Sequence, residues 1–146
     1  MLQGGLRMTN AIIILECQPP HVGHILAIKS VLEDYDFVYI YIIDKEYVLK
    51  TDRAIGILQQ ALHPYENFRT YKTTLDFTSV GGLPDSMVEH APEVILVADK
   101  HIFTHLNSLG MPVNFLGHVK GYNDLFSRVA FRQGLAKDYL AQYVKY

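Results

Sequence analysis

Residues Ala11-Ile12-Ile13-Ile14-Leu15 form an unbroken apolar run dominated by β-branched isoleucine. A strand with one wet face alternates apolar and polar residues. An unbroken run suits a strand covered on both faces, as in a parallel sheet flanked by helices. Parallel strands cannot be joined by a tight hairpin and need a crossover, usually a helix. The run therefore calls for a chain in which strands and helices alternate.

The rest of the sequence supplies that alternation. A buried strand is expected over residues 11–17. A helix over 22–34 carries Val22, Ile25, Leu26, Ile28 and Leu32 at helical spacing, and Pro19 and Pro20 help fix its start. Residues 36–43 read as a second strand. A helix over 51–62 has Thr51 as its expected N-cap and Ile55, Leu58 and Leu62 on one face, and His63-Pro64 ends it. A third strand is expected over 67–71. Lys72 to Leu83 reads as a loop ending in Gly81-Gly82 and is the expected mobile segment. A short helix follows from Pro84 to His90, then a fourth strand over 93–98. A helix over 101–109 stops at Gly110, and a fifth strand covers 112–116. Residues 126–144 are expected to hold one or two terminal helices, with a break at Gly134. The pattern predicts an α/β fold: a doubly wound (Rossmann-like), parallel five-stranded sheet in a single domain over 1–146. Residues 1–10 are expected to include a disordered leader, with Met8 as an alternative start.

Composition narrows the function classes. The formal net charge of −2 gives no footprint for non-specific nucleic-acid binding. No apolar run approaches the roughly 18–20 residues that span a bilayer. The first residues lack the long apolar stretch of a secretory signal. One cysteine, Cys17, excludes an intramolecular disulfide. These features point to a cytoplasmic protein acting on small molecules, with neither nucleic acid nor membrane as partner.

Chemistry is concentrated in Pro19-Pro20-His21-Val22-Gly23-His24, where the first strand turns into the first helix. Open α/β sheets bind ligands outside the carboxyl ends of their strands. A helix N-terminus there offers unpaired N–H groups and a positive dipole end to an anion. Two imidazoles beside it can hydrogen-bond phosphate oxygens and stabilise charge that develops on them. Glycine between them lets the backbone approach a ligand closely.

This strand-then-HxGH arrangement resembles the HxGH nucleotidyltransferase superfamily, and Gln18-Pro19 brings it closest to the small nicotinamide-mononucleotide-type adenylyltransferases. The resemblance extends over residues 11–143. It implies transfer of a nucleotidyl group, with adenylyl favoured, from a nucleoside triphosphate to a phosphorylated metabolite such as nicotinamide mononucleotide, with pyrophosphate released. His21 and His24 would contact the triphosphate and Arg132 the leaving phosphates. Gln18, Pro19 and Gly23 would frame the same pocket. Arg53, in Thr51-Asp52-Arg53, matches a basic position after the second strand, with Lys45 or Lys50 as an accompanying lysine. Ala98 and Asp99 fall where the family holds the base and ribose, although Asp99 equally suits the cap of the next helix. Ser127-Arg128-Val129-Ala130-Phe131-Arg132 matches the late phosphate-binding signature at Ser127 and Arg132, with Arg128 adding a charge. Mg²⁺ is implied with ATP, bound mainly through phosphates and water, and homo-oligomers are common in the family.

Two departures stand out. Leu15 and Glu16 occupy positions usually held by glycine and by a hydroxyl residue or arginine, and Val129 replaces a threonine. A carboxylate at Glu16 would suit a metal or a cationic group of a substrate. The competing readings are a CTP-dependent cytidylyltransferase acting on a phosphorylated alcohol and a non-catalytic nucleotide-binding protein. Elsewhere, His101 and His105 stand four residues apart at metal-ligand spacing but read as a surface pair. Cys17 reads as a small apolar filler. Tyr122-Asn123-Asp124 is a candidate loop contact to a base or acceptor.

Overall fold

A computed structural model describes residues 9–17, 20, 22–45, 49–74 and 85–118. The strands are β1 (Asn10–Leu15), β2 (Phe37–Ile43), β3 (Phe68–Thr73), β4 (Val94–Val97) and β5 (Val113–Phe115). The helices are α1 (Val22–Asp34), α2 (Thr51–Ala61), α3 (Asp85–Glu89) and α4 (Lys100–Ser108), and a single 3₁₀ turn follows β5 at Leu116–His118. All four strand pairings are parallel, and the order across the sheet is β3-β2-β1-β4-β5. This is the expected doubly wound, Rossmann-like sheet.

The apolar run of β1 sits at the centre, with Ile12 paired to Tyr39 on one side and Ile95 on the other. Its residues 11–15 are all buried. Burying each isoleucine contributes about 1.5–3 kcal/mol relative to leaving it exposed. Alternate residues serve two separate cores. Ala11, Ile13 and Leu15, with Val38, Ile40 and Ile42, pack against Ile25, Ile28, Val31 and Leu32 of α1 and Ala54 and Leu58 of α2. Ile12 and Ile14, with Tyr41, Ile43, Ile95 and Val97, pack against Met87 of α3 and Ile102 and Leu106 of α4. Helices thus cover both faces, as the unpatterned strand requires.

Boundaries differ from the sequence reading in informative places. β1 stops at Leu15, because Cys17 takes a left-handed φ of 53° that no strand can continue. β3 runs on through Lys72 and Thr73, which pair with Ile42 and Ile43. Pairing to β2 holds these two residues extended although their side chains are polar. Lys50, not Thr51, is the N-cap of α2 and makes no side-chain cap bond. Thr51 is already helical and buried, and its hydroxyl donates to Asp44 Oδ1 at 2.6 Å. Gly110 does follow α4 in the left-handed region, at φ 77°. Most of the expected mobile segment and the terminal helices lie outside the described residues.

On the second face, His90 follows α3 and stacks on Tyr39 with ring centroids 3.6 Å apart and planes 7° from parallel. Its Nε2 is 2.8 Å from the Tyr41 hydroxyl, and Tyr41 stacks on Tyr71. Asn10 Nδ2 donates to the His90 carbonyl at 2.8 Å. One residue therefore ties the approach to β4 onto β1 and β2. Burial lowers the His90 pKa from its ordinary value, against a smaller opposing effect of Glu89.

Two predictions follow from this frame. Gly56 lies inside α2 and Gly110 at a positive φ, and a Cβ would meet nothing within 4 Å at either. Gly56→Ala should stabilise by about 0.5–1 kcal/mol through helix propensity. Gly110→Ala should destabilise by about 1 kcal/mol through backbone strain. Urea titrations giving the same sign for both would contradict the assigned backbone. For His90, the native state resists a proton that the unfolded chain accepts near pH 6.5. Its contribution to stability is therefore complete above that pH and declines as pH falls through and below it. His90→Phe keeps the stack and removes the titration, so melting temperature should fall less between about pH 7.5 and pH 5 than in the parent. An unchanged slope would exclude the residue.

Candidate functional site

The strand order places the switch point of the sheet between β1 and β4. From β1 the chain crosses through α1 to β2 on one side; from β3 it returns across the sheet to β4 on the other. The connections leaving β1 and β4 diverge there, and it is at this place on the carboxyl edge that open sheets of this kind form a ligand crevice. Ile14 pairs with Val97, so the segments leaving the two strands start side by side.

From β1 the chain passes Glu16 and Cys17 and enters α1. Cys17 is fully buried among the residues under α1, and burial pushes its thiol pKa far up. It is a protonated apolar filler and no nucleophile. Gly23 and His24 lie in the first turn of α1, and both are buried. His24 falls one turn before Ile28 on the helix face that meets the sheet. The imidazole is therefore held where the helix start overlies the carboxyl edge. The first turn of α1 contains no acidic residue, so no carboxylate of that turn offsets the positive end of its dipole.

From β4 the chain passes Ala98 and Asp99, both exposed. Asp99 is the N-cap of α4: its Oδ1 accepts from the His101 and Ile102 amides at 2.7 and 3.1 Å. The two helix starts at the crevice consequently differ in sign. Asp99 makes the α4 start anionic, whereas α1 offers the end that attracts an anion. A ligand with a phosphate at one end and hydroxyl donors at the other matches that polarity.

α2 begins on the same edge, one strand further out, and carries Arg53 exposed in its first turn. The structure thus brings Gly23, His24, Ala98, Asp99 and Arg53 to one edge. Gln18, Pro19, His21, Ser127, Arg128 and Arg132 lie outside the described residues, as do Val129 and Tyr122-Asn123-Asp124. Among the described residues no three His, Cys, Asp or Glu side chains are grouped to hold a metal ion. His101 is exposed, whereas His105 has a buried Nε2 without a hydrogen-bond partner among them.

Sequence reasoning missed one contact on this edge. Lys45 Nζ lies 3.8 Å from Glu16 Oε2, across the ends of β1 and β2. The register Leu15↔Ile42 puts the two exits side by side. That pairing is set by the sheet, and spacing along the chain carries no signal for it. No protein-family model matches this sequence, and no curated protein matches it.

Proposed function

We propose that the chain is a nucleotidyltransferase, with adenylyl transfer from ATP to a phosphorylated small metabolite as the favoured reaction. The observation that carries the reading is His24, buried in the first turn of α1 at the β1–β4 switch point. A buried imidazole at a helix start whose own first turn holds no acidic residue suits phosphate binding. The order of Gln18-Pro19, His21-Val22-Gly23-His24, Asp99 and Ser127 to Arg132 along the chain supports the same reading.

In this reaction an acceptor phosphate oxygen attacks the α-phosphorus of the triphosphate. A new P–O bond forms, the bond from the α-phosphorus to the bridging oxygen breaks, and pyrophosphate leaves with the electron pair. A phosphate dianion is already a nucleophile, so catalysis rests on orientation and charge stabilisation. His24 and the α1 amides would hold phosphate oxygens whose charge grows in the transition state. Gly23 would let the backbone come close to the nucleotide. Asp99 would accept from ribose hydroxyls while still capping α4. His21, Arg132, Ser127 and Arg128 keep the phosphate-binding roles that the family resemblance assigns, with Gln18 and Pro19 shaping the approach. Mg²⁺ would arrive with the triphosphate and offset its charge. A substrate-borne ion of this kind needs no protein cage of its own.

The test is pyrophosphate release by purified protein with each nucleoside triphosphate, Mg²⁺ and a panel of phosphorylated acceptors. Release with ATP is expected. His24→Ala should lower turnover by about 10²–10³, the loss typical of one transition-state donor. His24→Asn, which keeps a donor, should recover part of it with the fold intact by circular dichroism. Turnover of His24→Ala within about twofold of the parent would contradict the assignment. Release with CTP alone would replace ATP by CTP, and triphosphate binding without release would leave a binding module.

A further inference from the structure

We infer that Asp44 is a positioning residue: through the buried hydroxyl of Thr51 it registers the start of α2 to the sheet and so sets Arg53 at the carboxyl edge. The inference rests on the nucleotidyl-transfer reading, in which Arg53 meets a substrate phosphate. Asp44 is the first residue beyond β2. Its amide donates to the Thr73 carbonyl at 2.7 Å, so its backbone is held by the end of β3. Its Oδ1 accepts from the Thr51 hydroxyl at 2.6 Å, within the short range of a charge-assisted bond to a carboxylate. Thr51 is fully buried, so water does not compete for its hydroxyl.

The bond differs from helix capping. A capping side chain accepts from the amides of its own helix and fixes nothing outside it. Lys50, the N-cap of α2, makes no such bond. The first helical residue instead donates outward, to the end of a neighbouring strand. Asp52, next in the chain, lies 3.0 Å from Lys72 of β3, but the two side chains are 80% and 45% exposed, so that ion pair adds little. Ala54 is fully buried in the core that also holds Leu58. Arg53 therefore stands between two buried anchors, Thr51 and Ala54, and is itself exposed. Successive helix positions turn by about 100°, so fixing Thr51 and Ala54 fixes the direction in which Arg53 leaves the helix. Asp44 thus acts on the guanidinium through the first turn of α2.

Steady-state kinetics on a double-mutant cycle tests this, with ATP and nicotinamide mononucleotide, or with the panel acceptor that gives the fastest pyrophosphate release. Arg53→Gln identifies the substrate whose KM depends on Arg53. Thr51→Val removes the hydroxyl at nearly constant shape and should raise that same KM about tenfold, with kcat changed by less than about threefold. Asp44→Ala, which removes the acceptor at a half-buried position, should raise it likewise. Thr51→Ser keeps the donor and Asp44→Asn the acceptor, so each should hold KM within about twofold of the parent. In the Arg53→Gln background Thr51→Val should leave KM nearly unchanged, because the two residues act in series. Its melting temperature should fall equally in both backgrounds, which separates positioning from stability. An unchanged KM in Thr51→Val and Asp44→Ala, or an equal rise with and without Arg53, would overturn the inference and leave a structural hydrogen bond. Arg53→Gln with both KM values unchanged would overturn it as well. The proposed function fails by a different signature, absence of pyrophosphate release by the parent with every triphosphate and acceptor, and the role given to Arg53 falls with it.

Discussion

Burial of β1 on both faces and along both edges is the constraint on which the rest depends. Its backbone pairs with β2 and β4, and its side chains feed alternately into the two cores. An apolar strand so placed has no face left for water, so helices must lie on each side. The same centrality creates the site. Because β1 has parallel neighbours reached by crossovers in opposite directions, the connections part at its carboxyl end. The crevice is a topological consequence of the strand order before any residue in it is considered.

The residues at that crevice sort by charge. α1 presents a start free of acidic side chains, with His24 buried beneath it, whereas α4 presents Asp99 on its own amides. Glu16 and Lys45 add a second charge pair at the neighbouring strand ends. An anion at α1 and hydroxyl donors at Asp99 fit together as triphosphate and ribose in the reaction proposed. Cys17 contributes by geometry alone: its left-handed backbone turns the chain out of β1, and its buried thiol anchors the turn.

Much of the fold was legible because burial writes itself into composition. The runs at 11–15, 37–43 and 94–97 and the helical spacing after each identify β1, β2, β4 and their helices. The carboxyl half of β3 was not legible, since Lys72 and Thr73 are extended by pairing with β2 and not by their own patterning. The N-cap of α2 was misplaced because Thr51, a residue type favoured at caps, spends its hydroxyl on Asp44 instead. At the candidate site, Gly23 and His24 were singled out by the His-x-Gly-His pattern after a strand, and Ala98 and Asp99 by the family resemblance together with their place at the end of β4. The Glu16–Lys45 contact was not, because it depends on which strands are neighbours and in what register.

Amide hydrogen exchange with and without ATP and Mg²⁺ tests the central claim, that the carboxyl edge at β1 and β4 is a nucleotide site. The account predicts that ATP slows exchange in the first turn of α1 around Gly23 and His24 and at Ala98 to His101. It predicts little change at the opposite edge, around Asp36 and His90. Protection confined to that opposite edge, or none at saturating ATP, would contradict it.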